Sequence, residues 1–102
     1  MAESAILTME HLRQIAPELQ ALTEAHGGTR LRVFGSVVQG TATPDSDLDL
    51  LVDFPCSPRF EQYMDLKLAL EDRLQVRVDL VTQAGLRAEL RERIEREAQA
   101  LI

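Results

Sequence analysis

The sequence predicts an α+β (mixed α/β) domain, with a small three- to four-stranded mixed sheet packed against helices. Three observations carry that prediction. Stretches with apolar residues three and four apart alternate with short stretches of period two. Glycine and proline punctuate the chain between them. The strand-like stretches are joined in two ways, once by a short turn and once by a helix, which favours one antiparallel and one parallel pairing. At 102 residues the chain has room for one core and one domain, residues 1–102.

Each element follows from local spacing. Thr8 is placed to cap a helix carrying Leu12, Ile15, Leu19 and Leu22, and Pro17 should kink it or split it into two short helices. Gly27-Gly28 stops that segment. From Thr29 to Phe34, Leu31 and Val33 alternate with Arg30, Arg32 and Phe34, as in a half-buried strand. Residues Ser36 to Gln39 make one helical turn closed by Gly40, and Thr41 to Ser46 reads as a loop.

Leu48 to Phe54 is the second strand. Ser57 and Pro58 are expected to cap and open the next helix, which runs to about Leu74 with Phe60, Met64, Leu66, Leu70 and Leu74 mostly inward. Val76 to Val81 is a third strand, with Val76, Val78 and Leu80 on one face and Arg77, Asp79 and Val81 on the other. A last helix from about Leu86 is expected to use Leu86, Leu90, Ile94, Ala98 and Leu101 as its apolar stripe, with Arg and Glu on its solvated faces.

Composition narrows the function classes. The chain is 45% hydrophobic with no apolar run near the length of a membrane span, so it reads as soluble with no membrane partner. Met1-Ala2-Glu3-Ser4 lacks the order of a secretory signal, and Cys56 is the single cysteine; a reducing cytoplasm is expected. Seventeen acids against eleven bases give a net charge of −6, which disfavours direct contact with a nucleic acid. A small nucleotide chelated by a metal remains compatible.

The chemistry concentrates in one stretch. Phe34-Gly35-Ser36 is followed by ten residues and then Asp47-Leu48-Asp49. Glycine allows close backbone approach to a phosphate, and serine adds an amide and a hydroxyl. Two acids two positions apart in an extended segment point the same way, roughly 6–7 Å apart. Asp79 falls out of phase with Val78 and Leu80, so it can share a face with Asp47 and Asp49 if its strand lies beside theirs. Three acids in one place raise one another's pKa unless a cation resides there. Taken singly, the Ser-Asp-x-Asp segment is also an ordinary strand entry and Gly35-Ser36 an ordinary helix cap; it is their combination that points to a site. His11, His26, Cys56 and Tyr63 read as structural.

These residues, GSVVQGTATPDSDLDLLVDF followed by VRVDLV, resemble the minimal nucleotidyltransferases (MNT) of the DNA polymerase beta superfamily over nearly the whole chain. The resemblance implies the nucleotidyltransferase fold. It implies Asp47, Asp49 and Asp79 as catalytic and metal-binding residues of a two-metal magnesium site, and Gly35, Ser36, Gly40 and Ser46 as nucleotide-binding. ATP would be the substrate. Relatives commonly carry arginines just after the glycine-serine, where this chain has Val37, Val38 and Gln39; Arg30 or Arg32 are candidates to compensate.

A domain this small has no room for a separate acceptor domain, so the acceptor is expected to be a partner. MNT proteins are commonly paired with HEPN-type toxins. The resemblance therefore implies an antitoxin that transfers AMP from ATP to a hydroxyl, typically a tyrosine, of its cognate toxin in a hetero-oligomer. The alternative is a binding module that neutralises the toxin by covering it. A small-molecule nucleotidyltransferase is a third reading, and it would need an acceptor pocket built by dimerisation.

Overall fold

The computed structural model describes residues 7–101. Its elements in order are α1 Met9–Gln14, α2 Ala16–Ala25, β1 Arg30–Phe34, α3 Ser36–Gln39, β2 Leu48–Asp53, α4 Phe60–Leu74, β3 Val78–Thr82, α5 Ala88–Glu97 and β4 Gln99–Ala100. The four strands form one sheet in the order β3-β2-β1-β4. β1 and β2 are antiparallel, joined through the short α3 segment, whereas β2 and β3 are parallel, joined across α4. Both pairings follow from the length and type of the connection, and the mixed sheet is the expected one.

Strand alternation sorts the sheet into two faces. Leu31 and Val33, then Leu48, Leu50 and Val52, then Val78 and Leu80 point into the main core with Leu12, Leu19, Leu66 and Leu70 from the helices. Each fully buried leucine contributes about 1.5–3 kcal/mol relative to exposure, so this face holds the fold together. The opposite face carries Arg30, Arg32, Phe34, Asp49, Leu51, Asp53, Asp79, Val81 and Gln83, a mainly polar set on which Leu51 is nonetheless fully buried.

The first helical segment is two helices, as Pro17 predicts. Thr8 caps α1, its Oγ1 accepting from the His11 N–H at 3.2 Å, and Pro17 sits in the first turn of α2. At the end of α2, Gly27 takes a positive φ of 91° that a side chain would resist.

Three expectations are corrected. Ser57 does not cap α4: the helix starts at Phe60 with Arg59 as its N-cap, extended at φ −70° and ψ 155° and without a side-chain cap bond. Phe60 is not inward but 75% exposed, because the α4 core stripe runs through Leu66, Leu70 and Leu74. The last helix ends at Glu97 and buries no residue fully, and Leu90 is exposed. Beyond it the chain becomes β4, which pairs antiparallel with β1 through Ala100 against Arg32 and Gln99 against Val33. Leu101 reaches the main core from this edge rather than from a helical stripe. No helix among the described residues is long and apolar enough to cross a membrane.

Candidate active site

β1 delivers the chain to a turn that only glycine fits. Gly35 sits at φ 79° and ψ −147°, a region costly for any residue with a side chain. A Cβ there would collide with Oδ2 of Asp49 and lie 3.0 Å from its Cγ. Gly35 thus meets two demands at once, a left-handed backbone and room for a carboxylate. Ser36 follows as the first residue of α3, half-buried; Thr41 N–H returns to its carbonyl at 2.9 Å. Gly40 closes α3 in the left-handed conformation at its far end, facing open space.

The register of the sheet brings two of the three acids together. Asp49 of β2 lies opposite Asp79 of β3 on the neighbouring parallel strand, and opposite Phe34 on the other side. Strand neighbours stand about 4.8 Å apart, so two carboxylates on one face meet directly. Burial first, and the adjoining Asp79 carboxylate next, push Asp49 up to about 6, with Asp47 adding a smaller push. A group held there exchanges its proton close to neutral pH.

Asp47 lies at the end of the loop before β2, two residues from Asp49, and is paired with Arg77. Its Oδ1 accepts from Arg77 Nε at 3.2 Å, and Arg77 Nη2 also approaches the Asp45 carbonyl at 3.5 Å. Arg77 was not among the expected site residues. Its position two before Asp79, on the same face, was the available signal. Ser46 is engaged within the loop, where its Oγ accepts from Thr43 N–H at 2.9 Å and pairs with the Thr43 hydroxyl at 3.1 Å.

Two side chains of α4 hold the strand that carries Asp79. Glu71 accepts from Val78 N–H at 2.8 Å and from Lys67 Nζ at 3.0 Å, and these bonds hold its carboxyl below the usual range. Tyr63 donates its hydroxyl to the Leu80 carbonyl; burial, then the Asp79 charge, raises its pKa. Asp79 therefore sits between two anchored neighbours on an edge strand whose outward groups are capped by side chains rather than by another strand.

The candidate compensating arginines lie elsewhere. Arg32 Nη2 donates to Asp53 Oδ1 at 3.1 Å and to Gln83 Oε1 at 2.6 Å, and Arg30 stands 3.7 Å from Asp53 Oδ2. Both are occupied at the opposite end of the sheet from Gly35. Gln83 in turn donates to Glu95, tying α5 to this face. Val37 is buried, Val38 is half-buried, and Gln39 approaches Glu97 at 3.5 Å, so the positions after Gly35-Ser36 supply no cation.

Oxygen-only donors, one of them with its charge suppressed by burial and then by a like neighbour, suit a hard divalent ion. Asp49 and Asp79 fit such an ion. Among the described residues no three His, Cys, Asp or Glu side chains are gathered in ligand geometry.

Residues 12–101 match the family model described as nucleotidyltransferase domain. The protein adenylyltransferase MntA of Thermococcus cleftensis is 38% identical over 94 residues, spanning 91% of this chain and 95% of that protein. A solved structure described as a minimal nucleotidyltransferase superposes with a TM-score of 0.80 at 47% identity, covering 91% of this chain and 95% of the other. A chain of the Shewanella oneidensis complex of a tri-AMPylated HEPN toxin with an MNT antitoxin superposes with a TM-score of 0.68, covering 93% and 72%; at 16% identity it speaks to the fold alone. With the family model spanning residues 12–101 and the minimal nucleotidyltransferase structure superposing over 91% of the chain, the chain belongs to the nucleotidyltransferase domain family, in its minimal form.

Proposed function

We propose that this chain is a cytoplasmic antitoxin that acts as a protein adenylyltransferase, moving AMP from ATP to a tyrosine hydroxyl of a HEPN-type toxin within a hetero-oligomer. The observation that carries the reading is Asp49 set in register against Asp79 beside a glycine whose Cβ would collide with the Asp49 carboxylate. The activity named for the Thermococcus cleftensis relative and the toxin bound in the Shewanella oneidensis complex support the choice of acceptor.

In this reading Gly35 admits the phosphates to the backbone beside Ser36 and keeps Asp49 in place. Asp47, Asp49 and Asp79 would hold magnesium, which supplies charge neutralisation for the triphosphate and a more acidic acceptor hydroxyl. Asp79, the exposed member of the pair, faces the acceptor and takes the hydroxyl proton. The acceptor oxygen forms its bond to the α-phosphorus, the bond to the bridging β-oxygen breaks, and pyrophosphate leaves with that electron pair.

Incubation with a co-expressed HEPN-type toxin, magnesium and ATP labelled at the α-phosphate should transfer label to a toxin tyrosine. Asp47→Ala and Asp49→Ala should abolish transfer, and an unlabelled toxin with the parent chain would remove the enzyme reading. The absence of cations at Val37 and Val38, with Phe60 and Leu68 exposed on α4, favours a second reading, neutralisation by coverage. Neutralisation that survives Asp49→Asn supports coverage; a complex that forms without neutralising supports catalysis.

A further inference from the structure

We infer that Arg77, the residue just before β3, is the phosphate-binding cation of this site, standing in for the basic residues missing after Gly35-Ser36, and that its ion pair with Asp47 is the arrangement it leaves when a metal-chelated nucleotide binds. The inference rests on the nucleotide-binding reading above and adds a residue to it.

Four observations converge. The Arg77 guanidinium stands 3.2 Å from Asp47 Oδ1, beside the Asp49–Asp79 pair and not at the far end of the face. Its side chain is 78% exposed and that of Asp47 is 50% exposed, so neither is locked by packing. The other two arginines on this face, Arg30 and Arg32, are committed to Asp53. The positions after Ser36 are buried or half-buried valines and then a glutamine.

Charge and reach explain why one residue can serve both states. An exposed ion pair is held by about 1 kcal/mol or less, so Arg77 can be displaced at little cost. A phosphate that shares a cation with Asp47 must bring an oxygen within about 4 Å of its carboxylate, where the guanidinium already stands. Arginine forms two parallel bonds to phosphate oxygens, which makes the exchange favourable once the carboxylate has another partner. Without nucleotide, Arg77 offsets Asp47. With nucleotide present it offsets the negative charge that valines cannot.

The test separates the two roles by their opposite signs. Manganese binding to the free protein is followed by paramagnetic resonance, and magnesium–ATP binding by calorimetry, for the parent, Arg77→Ala, Arg77→Lys and Arg30→Ala. Arg77→Ala should tighten manganese binding about three- to fivefold, because Asp47 loses its competitor. It should weaken magnesium–ATP binding about tenfold. Arg77→Lys should retain most of the competition with manganese and recover only part of the nucleotide affinity. Arg30→Ala removes the same charge at the other end of the face and should move neither value.

Unchanged ATP affinity in Arg77→Ala overturns the inference, and so do losses in both affinities. A parent that binds no magnesium–ATP takes away the nucleotide site itself. A parent that binds it, with Arg77→Ala binding equally well, removes the role of Arg77 alone.

Discussion

Asp49 and Asp53 lie four residues apart on the same face of β2, in opposite surroundings. Asp53 meets Arg32 at 3.1 Å and Arg30 at 3.7 Å, and its network runs on through Gln83 to Glu95. Asp49 meets Asp79, a group of its own sign, under a glycine that gives it room. The first acid is neutralised by the fold and ties β1, β2 and α5 together. The second is left for something the chain does not itself contain. An acid placed opposite an arginine is explained by stability, whereas one placed opposite another acid costs stability and is explained by a ligand.

The contrast can be broken from either end. The largest effect belongs to chemistry: Asp49→Asn should reduce transfer of labelled AMP about 1000-fold, roughly 4 kcal/mol of barrier, because the site loses a charged ligand. Retained transfer would place the reaction elsewhere.

Asp53→Ala acts at the other end and should destabilise the fold by about 3 kcal/mol in urea unfolding, since Arg32 is buried and its Nε already lacks a partner. Adding Arg32→Met should recover much of that loss. If the single variant is neutral, the network is decoration and the comparison collapses on that side.

Gly35→Ala should cost about 2 kcal/mol through its backbone conformation and its collision with Asp49. Combining it with Asp49→Ala should relieve the collision but not the backbone strain. Equal losses in the two backgrounds would mean that Asp49 does not press on the turn.

The smallest effect runs the opposite way in sign. The folded pKa of Asp49 is raised to about 6 from 3.8, so between those values the folded chain holds a proton that the unfolded chain releases. Stability therefore falls as pH rises through that window and stays lower above it. Asp49→Asn escapes the fall. After discounting for the part of the group that solvent screens, it should be about 1 kcal/mol more stable than the parent above pH 6 and indistinguishable near pH 4. Parallel thermal melts of the two chains at both pH values would contradict the account in which burial and then the Asp79 charge raise Asp49.

Much of this was readable before any coordinates. Thr8, Pro17, Gly27 and Gly40 act at short range, and the elements they delimit lie where local rules put them. The alternation around Val78 and Leu80 placed Asp79 on the polar face, and the parallel crossover then set it beside Asp49. Less readable was the end of the chain. The stripe Leu86, Leu90, Ile94, Ala98 and Leu101 has helical spacing, yet the last of these is buried by a strand pairing with β1, a contact between residues far apart in sequence. The start of α4 departs from local rules for the opposite reason: Ser57-Pro58 is a strong local signal, but the extended segment continues to Arg59 and leaves Phe60 outside the core.

Residue type and spacing alone determined which chemistry the chain offers: a glycine-serine turn, oxygen donors at strand period, and no basic residue behind the turn. Which charges face which was decided only when the strands came together. Coulomb energy depends on distances that no local rule contains, so the sequence cannot say that Arg32 answers Asp53, that Asp79 confronts Asp49, or that Arg77 reaches Asp47.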